Sequence, residues 1–123
     1  MNSDFIFYTA LSLFFTHQVD AIRCKEWRIL PGLSSLKENF AEKLFIAIHI
    51  PVFILIFILI SNPSPDIKYY FQITIDMMIS GHIGKHLILS KNKENLFNDN
   101  LSKMIILFSS VFAFIHLCII LSN

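Results

Sequence analysis

The sequence predicts an all-α integral membrane protein, a single domain (1–123) built as a four-helix bundle with both termini on the extracytoplasmic side. Three observations carry that expectation. Of the 123 residues, 54% are hydrophobic and only 15% are charged, against about 45–50% and about 25% in ordinary soluble domains. The apolar residues gather in four runs, each close to the roughly 20 residues that a helix needs to cross a bilayer. Nine of the ten lysines and arginines fall on one side of those runs. The same numbers exclude disorder, which goes with few aromatic and branched residues. A net charge of +1 with no basic run gives no electrostatic footprint for nucleic acid.

The spans are expected at about 5–22, 40–60, 67–89 and 101–121. The first has no positively charged leader and ends in Arg23, Lys25 and Arg28 without a small-residue cleavage site; it reads as a retained span, not a signal peptide. Arg23, Lys25, Arg28, Lys37 and Lys43 lie between or at the ends of spans one and two, and Lys85, Lys91, Lys93 and Lys103 around the link between three and four. Only Lys68 lies on the other side. The positive-inside rule then puts both long links in the cytoplasm. Within the first link, Leu30-Pro31-Gly32 is expected to break the chain. Ser35 and Glu38 have capping-box spacing, predicting that the second helix starts near Leu36 with a short amphipathic lead-in. Ser61 to Pro65 reads as a tight external turn, and Ser90 to Asn95 as a polar internal one.

All five histidines, His17, His49, His82, His86 and His116, fall inside the expected spans. Ionisable groups at membrane depth are costly and mark functional positions that face a bundle interior. At a rise of about 1.5 Å per residue, His17, His49 and His82 lie about 10–13 Å in from the cytoplasmic face, and Asp20 and His86 about 6 Å in. Five ionisable residues on three helices thus share one layer. His17 with Asp20, and His82 with His86, each share a helix face at i, i+3 and i, i+4. Two imidazoles one turn apart can grip one metal ion, with other helices completing the shell. His17, Asp20, His49, His82 and His86 are therefore the candidate metal ligands, and Asp20 could instead fix a histidine tautomer from behind. Gly81 and Gly84 are expected to admit a close neighbouring helix, and Pro51 to kink the second helix beside His49.

His116 and Asp76 stand apart, both about 21–22 Å in. They read as a hydrogen-bonded pair that locks two helices or relays a proton. Glu26-Trp27-Arg28 has the composition of a headgroup-level belt. In a sharper reading, Glu26 folds back over the site as a catalytic general acid or base. Cys24 and Cys118 are expected at opposite faces as buried thiols, without a disulfide. A hydrogen-bonded polar cluster without metal, or a proton path, would use the same residues.

The segment Thr16-His-Gln-Val-Asp-Ala-Ile-Arg-Cys-Lys-Glu-Trp-Arg-Ile-Leu-Pro31 resembles the HExDA…EWR.LP signature of a small family of uncharacterised bacterial membrane proteins. The resemblance continues through His49-Ile-Pro51, His82 to His86, and Phe97-Asn-Asp-Asn-Leu-Ser102, ending near His116-Leu117. Gln18 replaces the usual Glu, and Asn92-Lys93 stands where a His-Pro pair is expected. The resemblance implies a four-helix membrane protein, a bacterial inner-membrane location and the same set of site residues. It implies no activity.

Three functions compete at this stage. One is an intramembrane metal-dependent hydrolase, zinc first and iron second, acting on a lipid-like substrate from the inner leaflet. Another is a haem-binding or electron-transfer module, with His49 opposite His82 or His86 as axial ligands. The third is a non-catalytic membrane subunit or proton path, which would need a homo-oligomer. The bilayer is the expected partner in each case.

Overall fold

The computed structural model describes residues 3–122, and these are all helix, turn and loop. Helix α1 (Ser3–Arg23) leads into two single 3-10 turns, Glu26–Arg28 and Leu33–Ser35. Helices α2 (Glu38–Ile60), α3 (Pro65–Leu89) and α4 (Asn100–Ser122) follow.

Local chemistry explains most of the boundaries. Lys25 adopts a left-handed conformation at φ 51°, which stops α1 and turns the chain back at once. The break therefore comes several residues before the Leu30-Pro31-Gly32 stretch expected to make it; Gly32, at φ 88°, makes a second turn. The capping box does not form. Ser35 Oγ donates to Gly32 O at 2.8 Å, and Arg28 takes the Glu38 carboxylate at 2.9 Å. Leu36 is extended, so α2 starts at Glu38 rather than near Leu36. Ser64 caps α3, accepting from Ile67 N at 3.5 Å, with Pro65 in the first turn. Such a proline is favourable because its missing N–H has no helical partner there. Asp99 caps α4, accepting from Ser102 N at 2.8 Å.

Helix α4 is the spine, with α1 and α3 packed along it. Small residues and interhelical hydrogen bonds hold the seam, the devices that also join helices in membrane bundles. Ala10 on α1 and Ala113, Ser102 and Ser109 on α4 are buried there, and Ser110 Oγ donates to Ile79 O across the α3–α4 contact at 3.0 Å. Gly81 and Gly84 do not serve that purpose, since a Cβ added to either meets nothing within 4 Å. Helix α2 lies more loosely and exposes Ile50, Ile54, Phe57 and Ile58.

Three helices, α1, α2 and α4, are long and apolar enough to cross a membrane. The fourth expected span, α3, has the length but not the hydropathy. Its polar groups Gln72, Asp76 and His86 are buried against the rest of the protein. The links following α1 and α3 meet at one end, through Arg23–Asp99 at 2.6 Å and Arg28–Glu94 at 3.4 Å. Two apolar clusters fill the bundle, one including Phe14, Leu11 and Ile79, the other Trp27, Phe45 and Phe97. His17 lies between them, its ring against both Phe14 and Phe97.

Candidate metal centre

His82 and His86 stand one turn apart on α3, and His17 enters from α1. Their three Nε2 atoms face one another, at 2.7 Å for His17–His82, 3.2 Å for His82–His86 and 3.4 Å for His17–His86. The rings meet edge to face, with centroids 4.7 to 5.0 Å apart. Glu26, brought back over the end of α1 by the turn at Lys25, puts Oε2 3.7 Å from His17 Nε2. Ligand atoms from all four residues lie within 4.8 Å of one another.

Glu26 is buried, and its Oε1 takes an ion pair from Lys85 Nζ, which projects from α3 between the two histidines. Its Oε2 makes no hydrogen bond. A buried carboxylate oxygen without a donor is costly, so this atom is fixed towards the imidazoles by the ion pair on its sister oxygen.

The donor set fits a transition-metal ion. Zinc takes imidazole nitrogen at about 2.0–2.1 Å in tetrahedral geometry, which puts neighbouring ligand nitrogens about 3.3–3.4 Å apart. Two of the three Nε2 separations are 3.2 and 3.4 Å, and the third would open by about 0.6 Å to reach that spacing. Three imidazoles and a carboxylate also suit iron. Proton bookkeeping points the same way. Three converging Nε2 atoms cannot all find a donor from one another, since a neutral imidazole has a single N–H. The Nδ1 atoms of His17 and His86 are buried without partners, so the outer hydrogen bonds that usually orient metal-binding histidines are missing from both.

The other expected ligands lie elsewhere. Asp20 shares the His17 face but is taken up by its own network. Arg23 Nε donates to its Oδ1 at 2.8 Å and Ser102 Oγ to its Oδ2 at 2.5 Å. It neither joins the cluster nor holds the His17 tautomer, because an arginine one turn on and a serine on α4 satisfy it first. His49 is also separate. Its Nδ1 donates to Phe45 O at 2.6 Å, and its Nε2 lies 3.0 Å from the Gln18 side-chain amide. Both ring nitrogens are engaged, so His49 is not poised as an axial haem ligand opposite His82 or His86. Asp76 and His116 form the expected pair, Nδ1 to Oδ2 at 2.5 Å, fully enclosed between α3 and α4.

Sequence reasoning missed Lys85 as the partner of Glu26. The signal was present, a lysine between two histidines on one helix and an acid just past the end of another. It also missed the polar lock between α1 and α4. There Arg23 bridges Asp20 and Asp99, and the Ser102 amide and Arg23 hold the Asp99 carboxyl down to about 2. That contribution to stability is complete above the ordinary carboxylate range and is lost as pH falls towards 2. The Arg28 guanidinium is raised by Glu38, and burial pushes the Cys24 thiol up. Cys24 is buried as expected, but Cys118 is exposed, because its part of α4 faces away from the bundle.

The fold and site thus define a four-helix protein with membrane-length helices and a largely buried His/Glu cluster. A family profile described as a family of unknown function, DUF6713, matches residues 3–123, and the chain belongs to that family. No match is found among curated proteins or among solved structures.

Proposed function

We propose that this protein is a multi-pass membrane metalloprotein holding a divalent ion, zinc before iron, on His17, His82 and His86. Helix α3 is the fourth span, its polar groups turned inward, and both termini face the extracytoplasmic side. The basic residues gathered at the end where the two links meet support that orientation. The observation that carries the metal reading is the convergence of three Nε2 atoms, 2.7 to 3.4 Å apart, beside the unpartnered Glu26 Oε2.

The chemistry proposed for this arrangement is hydrolysis of a lipid-like substrate. An ion bound there would supply Lewis acidity and bring the pKa of a water to about 7. Glu26 Oε2 takes up the proton as general base, while Lys85 holds Oε1 and thereby fixes the carboxylate plane. The buried rings of Phe14 and Phe97 limit water on the inner side of the cluster.

The protein is purified in non-ionic detergent without chelator, and its metals are measured by elemental analysis beside a visible spectrum. Near-stoichiometric zinc or iron without a Soret band is expected, falling below about a tenth of that level in His82→Ala. A Soret band would transfer the site to haem. Absence of metal even after zinc loading, with the helical circular dichroism signal intact, overturns the reading in favour of a hydrogen-bonded histidine cluster, for which the 2.7 Å His17–His82 contact is suitable.

A further inference from the structure

The outer wall of the histidine cluster is also the inner wall of a cavity. His86, which contributes Nε2 to the cluster, lines a partly open chamber of about 330 Å³ between α3 and α4, bordered by the link between them. Its walls are apolar, from Ile83 and Leu87 on α3, Phe97 in the link and Ile106 on α4. Its polar rim carries Lys103 among Ser90 and Asn98.

Two features distinguish this chamber from a packing gap. The link that borders it is pinned by its own hydrogen bonds. Asn95 is buried, donates from Nδ2 to Leu89 O at 3.2 Å and accepts from Phe97 N at 3.0 Å, while Asn98 donates to Asn95 O at 3.0 Å. The wall is therefore preformed, as ligand sites usually are. Charge is the second feature. Five of the ten cationic side chains, Arg23, Lys25, Arg28, Lys68 and Lys85, are paired with carboxylates, and Lys103 is not among them. Among the described residues no carboxylate pairs with Lys103, although it stands one turn after Asp99.

We infer that this chamber binds a single-chain anionic amphiphile, its alkyl chain against Ile83, Leu87 and Ile106 and its carboxylate or phosphate on Lys103. The volume is at the small end of the about 300–1,000 Å³ range of ligand sites, which suits one chain and not a two-chain lipid. The position, at the end of the bundle where the two links meet, lets the headgroup stay near water while the chain lies between helices. Bound in this way, the part of the ligand next to its headgroup lies along His86. As a substrate site the chamber rests on the metal-hydrolase reading; as a binding site it does not.

Native mass spectrometry of the intact protein in non-ionic detergent tests this with three probes of equal chain length, laurate, dodecyl phosphate and dodecanol. One laurate or dodecyl phosphate is expected per chain, with dodecanol about tenfold weaker, the ratio that one charge-assisted contact gives. A preference between the two anions tells carboxylate from phosphate as the natural headgroup. Lys103→Gln should reduce the anions to the level of dodecanol. Ile106→Trp, or Leu87→Trp from the exposed rim should the first fail to fold, should remove all three. Equal binding of charged and neutral probes, or anion binding unaffected by Lys103→Gln or by the folded tryptophan variant, overturns the inference. Elemental analysis of the same samples keeps the two proposals apart, since a metal-free protein that still binds laurate through Lys103 refutes the metal reading alone.

Discussion

Replacing Lys85 by Met removes the counter-charge of Glu26 while keeping an unbranched side chain one heavy atom shorter. Glu26 is 3% exposed and Lys85 28% exposed, so the change leaves an enclosed carboxylate facing no cation. Its Oε2 already lacks a donor, and Oε1 then loses its own. Breaking a buried ion pair from one side costs about 3–5 kcal/mol. Because Lys85 is partly open, water reaches the vacated side, and about 3 kcal/mol is the expected loss. Adding Glu26→Gln to Lys85→Met should restore most of it, because the unpaired charge is then gone. Reversible unfolding in mixed detergent micelles measures this, followed by the emission of Trp27, the single tryptophan, which is buried against Phe45. Zinc adds a second arm. At a hundred times its dissociation constant it should stabilise the wild type by about 2.7 kcal/mol, and Lys85→Met by more, since the ion takes over the neutralising role of the ammonium. A cost below about 1 kcal/mol for Lys85→Met, on the exposed-pair scale, would refute the reasoning. So would a double variant no more stable than the single one, or zinc stabilising wild type and Lys85→Met equally.

Other consequences follow from the packing. His116→Leu should cost about 3–5 kcal/mol by orphaning Asp76, whereas the Asp76→Leu/His116→Leu double variant should come within about 1–2 kcal/mol of wild type; additive costs in a double-mutant cycle would show that the pair is not coupled. Gly84→Ala should stabilise α3 by about 0.5–1 kcal/mol, because its new methyl group meets no neighbour; a loss measured by the same unfolding titration would reveal a close contact at that face.

Much of this architecture is written locally. Hydropathy marks α1, α2 and α4 because each is apolar over most of its length, and the Ser64-Pro65 start of α3 follows from cap chemistry within three residues. The His82–His86 pair was legible because one helical turn fixes both side chains on a common face. The same rule brought Asp20 into the expected site and was misleading there. A shared face says nothing about which neighbour arrives first, and Ser102 and Arg23 arrive before any ion. Gly81 and Gly84 failed for a related reason, since their smallness permits a close approach that α1 and α4 make elsewhere, through Ala10, Ala113 and the serines.

The sequence by itself determined that this is an apolar helical protein with a minority of polar groups set inside long apolar helices, because the period of a helix and the cost of a charge among apolar groups act on neighbouring residues. Only the tertiary structure decided which of those groups meet. Glu26 reaches the histidines because the backbone reverses at Lys25, and it stays there because Lys85, 59 residues further along, comes to the same place on another helix. Such a meeting depends on how α1 and α3 lie against α4, and no local pattern in the chain encodes that.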